Sequence, residues 1–174
     1  LAAAADFGQA LARENLRLVY GGGGVGLMGA AARATHEAGG RVLGIMPDFL
    51  RRREILFDDV ETVIVSNMHE RKMLMFQESD AFVVLPGGIG TLEEIVELLS
   101  WRRLNLHHKP IVFANINGFW DPFFALIDHT VAEHFTPTDF TSGWVSVNRI
   151  DQIVPAIRTL AEAEAHELSL QPRA

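Results

Sequence analysis

The run Pro86-Gly87-Gly88-Ile89-Gly90-Thr91-Leu92-Glu93-Glu94 joins a glycine turn to a carboxylate, a pairing that can hold an anion and act on it. Residues 80–85, apolar after Asp80, read as a buried strand, and the apolar spacing over 92–106 predicts a helix. A glycine turn between strand and helix presents unpaired backbone N–H groups and the positive end of the helix dipole to the same anion. Glycine also lets the backbone come close to a ligand and take φ > 0 where the turn requires it. Thr91 is expected to cap the helix and to offer its hydroxyl. Glu94, one turn on, places a carboxylate beside this phosphate cradle. Glu93, Glu94 and Glu97 also read as an acidic helix start, which the dipole favours without any ligand.

A second group is cationic. Met68-His69-Glu70-Arg71-Lys72 opens a helix expected over 67–78, after a strand expected over 60–65. A basic pair is usually a solvated face. Here the chain has only two lysines, Lys72 and Lys109, and cations early in a helix oppose its dipole. Arg71 therefore reads as a group for a phosphate or carboxylate, which its planar fork grips in two places. A third group is the run from Gly21 to Gly29, which matches a dinucleotide fingerprint loosely. No acidic residue ends the next strand to hold a ribose hydroxyl, and Asp48 falls after Pro47. An NAD-dependent dehydrogenase is thus poorly supported, and glycines serving tight strand-to-helix packing are an equal reading. Neither glycine run continues into the Gly-Lys-Ser/Thr of a Walker A loop. His107 and His108 lack the i, i+4 spacing of a zinc pair and read as a surface turn before Lys109-Pro110. Trp101, Phe119, Trp120, Phe123 and Phe124 read as core or subunit contact.

The elements that must position these groups alternate. Helices are expected over 2–13, 27–38, 67–78, 92–106, 120–134 and 150–166, and strands over 16–20, 41–46, 60–65, 80–85, 111–114 and 144–147. Gly39-Gly40 reads as a helix stop, and 48–59 is polar and irregular, with Arg51-Arg52-Arg53-Glu54 inside it. Strands joined by helical crossovers imply a parallel sheet covered on both faces, with ligands at the strand carboxyl ends. Both glycine turns fall there. No internal repeat or low-complexity linker interrupts the pattern, so 1–174 reads as one Rossmann-like nucleotide-binding domain.

Composition narrows the class. The 174 residues suit one domain with a full core, and 48% of them are hydrophobic, which marks a globular chain. A formal charge of −7 argues against a general nucleic-acid binder. No apolar run is long enough to span a bilayer. The chain has no cysteine, which excludes disulfides and thiolate metal sites and fits a cytoplasmic protein. Leu1 is not an initiator Met and the chain opens directly in a helix, without the n-region or cleavage site of a signal peptide. A further segment upstream is expected.

Three motifs in order make a specific resemblance: Leu18-Val19-Tyr20-Gly21-Gly22-Gly23 with Gly26-Leu27-Met28-Gly29, then Met68 to Lys72, then Pro86 to Glu94. Together the residues resemble the LOG family, cytokinin riboside 5′-monophosphate phosphoribohydrolases. Lys109-Pro110 and Asn117-Gly118-Phe119 fall where that family has similar pieces. The resemblance implies an α/β chain with a modified Rossmann-like, doubly wound parallel sheet and helices on both faces. It implies a chain that is usually a homodimer, with its site near the dimer interface. The implied reaction is hydrolysis of the N-glycosidic bond of an adenosine 5′-monophosphate, often N6-prenylated, to free base and ribose 5-phosphate, without cofactor or metal. Carried over by position, the catalytic pair is Arg71 and Glu94, and the phosphate and ribose loop is Gly87, Gly88, Ile89, Gly90 and Thr91. Gly22, Gly23, Met68, Lys72 and Glu93 join them as substrate contacts, with Glu54 as a further one. Ile89 stands where the family often has Tyr, and an N-terminal strand with a Gly-Ser-Ser-type loop is expected before the first helix. The older label of lysine decarboxylase finds no support, because Lys109, in a loop before a proline, is poorly placed for a pyridoxal Schiff base. The alternative is a non-catalytic nucleotide or molybdenum-cofactor carrier of the same fold.

Overall fold

The computed structural model describes residues 1–53 and 55–170. The chain forms two compact units, Leu1–Asp80 and Ala81–Ala174. The first holds α1 (Ala2–Arg13), β1 (Leu18–Tyr20), α2 (Gly26–Glu37), β2 (Val42–Pro47), β3 (Glu61–Val65) and α3 (Met68–Gln77). The second holds β4 (Phe82–Val84), α4 (Ile89–Arg103), β5 (Ile111–Ala114), α5 (Asp121–Ala132), β6 (Val145–Val147) and α6 (Ile153–Leu170). Each unit carries a three-stranded sheet, in the order β1-β2-β3 and β4-β5-β6, and every pairing is parallel.

In the first unit β2 is central. All six of its residues are buried. Successive side chains of a strand point to opposite faces, so both faces of β2 are covered. Register is fixed by pairs such as Val19 with Leu43 and Met46 with Ile64. The edge strand β3 departs from that pattern: Val63 and Ile64 are 36% and 40% exposed. Helix α1 lies against α2 through small residues. A Cβ on Gly8 would stand 2.3 Å from the Ala31 carbonyl oxygen, so only glycine permits this approach. Helix α2 ends as expected: Gly39 takes φ +79, the left-handed turn that glycine adopts at little cost.

In the second unit β5 is central and likewise buried at all four residues. Phe113 on β5 is fully buried and meets the rings of Trp120, Phe123, Phe124 and Trp144 at centroid distances of 5.6, 5.7, 5.1 and 5.9 Å. The core expectation for Trp120, Phe123 and Phe124 holds on these contacts. Phe119 remains 47% exposed.

Two sequence expectations need correction. Helix α4 begins at Ile89, with Gly88 as N-cap, and stops at Arg103, whereas 92–106 was expected. Thr91 is therefore the third helical residue and not the cap, and the first turn carries no acidic residue. Glycines at 88 and 90 hide the helix start from apolar periodicity, because they contribute no side chain to the pattern. The second correction concerns His107, which is 6% exposed and lies in no surface turn. Its Nε2 is 3.0 Å from the Leu98 carbonyl oxygen, and its Nδ1 accepts from the Lys109 amide at 3.1 Å. That pattern assigns the proton to Nε2 and pins the end of α4 to the start of β5. Burial holds the imidazole pKa below its usual value. The unfolded imidazole thus takes up a proton first, and protonating Nδ1 in the fold would break the Lys109 bond. Stability from this group is full above about pH 6.5, falls as pH drops below it, and levels off under the lowered folded value. Melting temperature measured from pH 7.5 to 5 should fall more steeply for the natural protein than for His107→Gln; parallel curves would refute the assignment.

Among the described residues no helix is long and apolar enough to cross a membrane.

Candidate functional site

The Gly21–Gly26 turn follows β1 directly. Its two halves do different work. The later half is packing. A Cβ on Gly29, at the start of α2, would stand 2.4 Å from the Gly24 carbonyl carbon. The Gly24 amide donates to Ile55 O at 2.6 Å, and its carbonyl accepts from Arg33 Nη2 at 3.0 Å. The Arg33 guanidinium carbon also lies 4.9 Å from the centre of the Phe57 ring, within the range of a cation–π contact. An antiparallel bridge pairs Gly23 with Leu56, so the stretch read as irregular is tied back onto the turn.

The earlier half meets the predicted arginine. Asn67 caps α3 by accepting from the Glu70 amide at 2.9 Å, and Glu70 returns to accept from the Ser66 amide at 2.7 Å. This reciprocal cap fixes the helix start, and Arg71 is its fourth residue. Arg71 Nη2 donates to Gly21 O at 2.7 Å, and Nε donates to Ile45 O at 3.2 Å. Nη1 approaches Met68 Sδ at 3.9 Å. The structure thus brings Arg71 and Met68 to the carboxyl ends of β1 and β2, beside Gly21. Gly22 follows in the same turn with φ +85, a backbone conformation that suits glycine. Lys72, next on α3, is half-buried. Glu54 lies outside the described residues.

In the second unit the predicted phosphate loop stands at the carboxyl end of β4 and runs into α4. Gly88, Ile89 and Gly90 are exposed, Ile89 by 84%, so this turn offers open backbone. A Cβ on Gly87 would stand 2.2 Å from Thr91 Oγ1, which sets the threonine hydroxyl directly over the turn. Glu94 is the sixth residue of α4, half-buried, with Glu93 exposed beside it. The four N-terminal N–H groups of a helix lack intrahelical partners, and Gly88 supplies no side-chain cap. An anion at this turn is held by N–H groups and by the helix dipole. Glu94 lies in the second turn of this same helix. A cavity of about 490 Å³ in the same unit, lined by Arg102, Arg103, His108 and Asp139 among others, contains none of the sequence-predicted residues. No group of His, Asp and Glu among the described residues could hold a metal ion.

Sequence reasoning missed Gly21 and Arg33 as parts of this arrangement. Gly21 gave no separate signal inside a run of four glycines. Arg33 follows Gly29 by one helical turn, which puts both on the side of α2 that meets the glycine turn.

The family model described as possible lysine decarboxylase matches residues 28–157. The LOG protein of Oryza sativa subsp. japonica, a cytokinin riboside 5′-monophosphate phosphoribohydrolase, is 46% identical over 138 residues. The chain belongs to the LOG family. That match covers 79% of this chain and 57% of the rice protein. LOG5 of Arabidopsis thaliana, of the same description, is 42% identical over 153 residues, covering 87% of this chain and 67% of that protein. The chain spans little more than half the length of the first rice relatives it matches, at 54% and 57%. The LOG-family chain also shares its fold with the molybdenum cofactor binding protein of Rippkaea orientalis. Their TM-score is 0.68 at 21% identity, over 92% of this chain and 86% of the other. A molybdenum cofactor carrier protein of Chlamydomonas reinhardtii gives a TM-score of 0.67 at 19% identity, over 92% and 87%. These likenesses establish the Rossmann-like α/β fold of the LOG-family chain and nothing about its ligand.

Proposed function

We propose that this LOG-family protein hydrolyses the N-glycosidic bond of an adenosine 5′-monophosphate, N6-modified or plain, releasing the free base and ribose 5-phosphate. The observation that carries the reading is Glu94, a carboxylate fixed on the very helix whose first turn opens the glycine loop. Relatives at 42–47% identity named as cytokinin riboside 5′-monophosphate phosphoribohydrolases, or probable ones, support it. The 5′-phosphate binds the turn from Gly87 to Thr91, and that remote binding energy holds the reacting bond in place. As the C1′–N9 bond breaks, its electron pair leaves with the base and positive charge grows on the ribose. Glu94 stabilises that charge and takes a proton from the attacking water, whose oxygen forms the new bond to C1′. The departing base gains a proton. Arg71 holds the nucleotide through the N–H groups that its backbone contacts leave.

The enzyme on this reading is a cytoplasmic homodimer that acts on a small nucleotide and binds neither nucleic acid nor membrane. The absence of cysteine and the charge of −7 support the setting. Exposed apolar side chains on and after α5, Leu126 at 58% and Phe135 at 86%, support self-association.

The test is to incubate the full-length protein with AMP and with isopentenyladenosine monophosphate and to follow free base by chromatography. Base release that falls ~10²-fold or more in Arg71→Ala supports the enzyme, and the ratio of the two rates names the preferred base. Tight binding of intact nucleotide with no release from either substrate would replace the enzyme by a carrier.

A further inference from the structure

We propose that Gly21 is the positioning residue for Arg71: its missing side chain is what lets the guanidinium seat on the protein by one edge and face a ligand with the other. The inference rests on the hydrolase reading for its link to turnover. A guanidinium has two usable edges. Nε and Nη2 form the side edge, and Nη1 with Nη2 forms the end edge. Here the side edge is spent on two backbone carbonyls, Ile45 O within β2 and Gly21 O just past the neighbouring β1. One N–H of Nη1 turns toward Met68 Sδ of its own helix. Among the described contacts this occupies three of the five N–H groups of the fork. The two that remain, one on each terminal nitrogen, are left for an oxyanion, which a guanidinium can grip in two places.

Seating by the side edge requires close contact with the backbone. A Cβ on Gly21 would stand 2.0 Å from Nη2, 2.9 Å from Cζ and 3.3 Å from Nε. No other atoms stand closer, so the obstruction is the guanidinium itself. Gly21 differs from its neighbour in this respect. Gly22 needs glycine for its φ of +85, whereas Gly21 lies outside the left-handed region, so that strain does not bar alanine there. Gly21→Ala should therefore fold, and the methyl group should push the flexible end of Arg71 off both carbonyls. Once off them, the fork loses its direction. Misplacement of a binding group by about 1 Å can cost ~10²-fold in rate.

The experiment is a double-mutant cycle on the full-length protein with Gly21→Ala, Arg71→Ala and the pair, read by base release from AMP and by thermal unfolding. Gly21→Ala is expected to lose ~10²-fold in kcat/KM, and Arg71→Ala at least as much. In the Arg71→Ala background the alanine at 21 is expected to cost nothing more in either readout, because the group it displaces is gone. A glycine needed only for loop geometry would give losses that multiply, which overturns the proposal. Natural turnover in Gly21→Ala overturns it as well. Should the natural protein release no base, the hydrolase reading fails alone. The melting-temperature cycle then decides the interlock, with coupled shifts supporting it and additive shifts overturning it.

Discussion

Glu94→Gln is expected to fold normally and to release base ~10²-fold or more slowly than the natural protein. The substitution keeps the shape and size of the side chain and removes two abilities, carrying negative charge and accepting a proton. Both matter only as the glycosidic bond breaks, so the loss should fall on kcat, with KM for AMP nearly unchanged. A factor of 10² corresponds to about 2.7 kcal/mol of transition-state stabilisation, within reach of one well-placed carboxylate. The group is half-buried in the second turn of α4, and glutamine matches it in volume. Glu97→Gln, one turn further along the helix, is the control and should keep activity within a few-fold. Turnover in Glu94→Gln equal to that of the control would remove Glu94 from the mechanism and leave the glycine loop as a binding device only.

Phe113→Ala should cost about 3–5 kcal/mol of stability, the range for truncating a large buried aromatic. Phe113 is fully buried on the central strand of the second unit and touches four other aromatic rings. Edge-to-face and stacked pairs add to the area it buries, and no neighbour can collapse into the space without leaving its own contacts. Denaturant unfolding should show a lower midpoint at constant slope, and Phe113→Leu should recover much of the loss. The same strand ends at Ala114, and the β4 strand that pairs with it leads into the Gly87–Thr91 turn. A weakened β5 therefore loosens the base on which the phosphate loop stands. A Phe113→Ala variant with natural stability would mean that the aromatic cluster packs loosely.

The alternation of elements was legible in the chain because each buried strand and each amphipathic helix leaves its own period. Helix 2–13 was read to the residue, and strand 111–114 likewise. The three motifs also sufficed to place the chain in the LOG family, since glycine turns, capped helix starts and a carboxylate at fixed spacing are local features. Where local chemistry was silent, the reading failed. Glycines carry no periodicity, so α4 began three residues before its expected start and Thr91 moved from the cap into the helix. A histidine has the same sequence signature in a surface turn as in a buried pin, and only the Leu98 carbonyl and Lys109 amide distinguish the two for His107. The sequence by itself determined which residue types stand at strand ends and helix starts, because those depend on neighbours along the chain. The tertiary structure alone decided that Arg71 rests on Gly21 and Ile45, from 50 and 26 residues away, because such contacts depend on which strands pair and not on spacing.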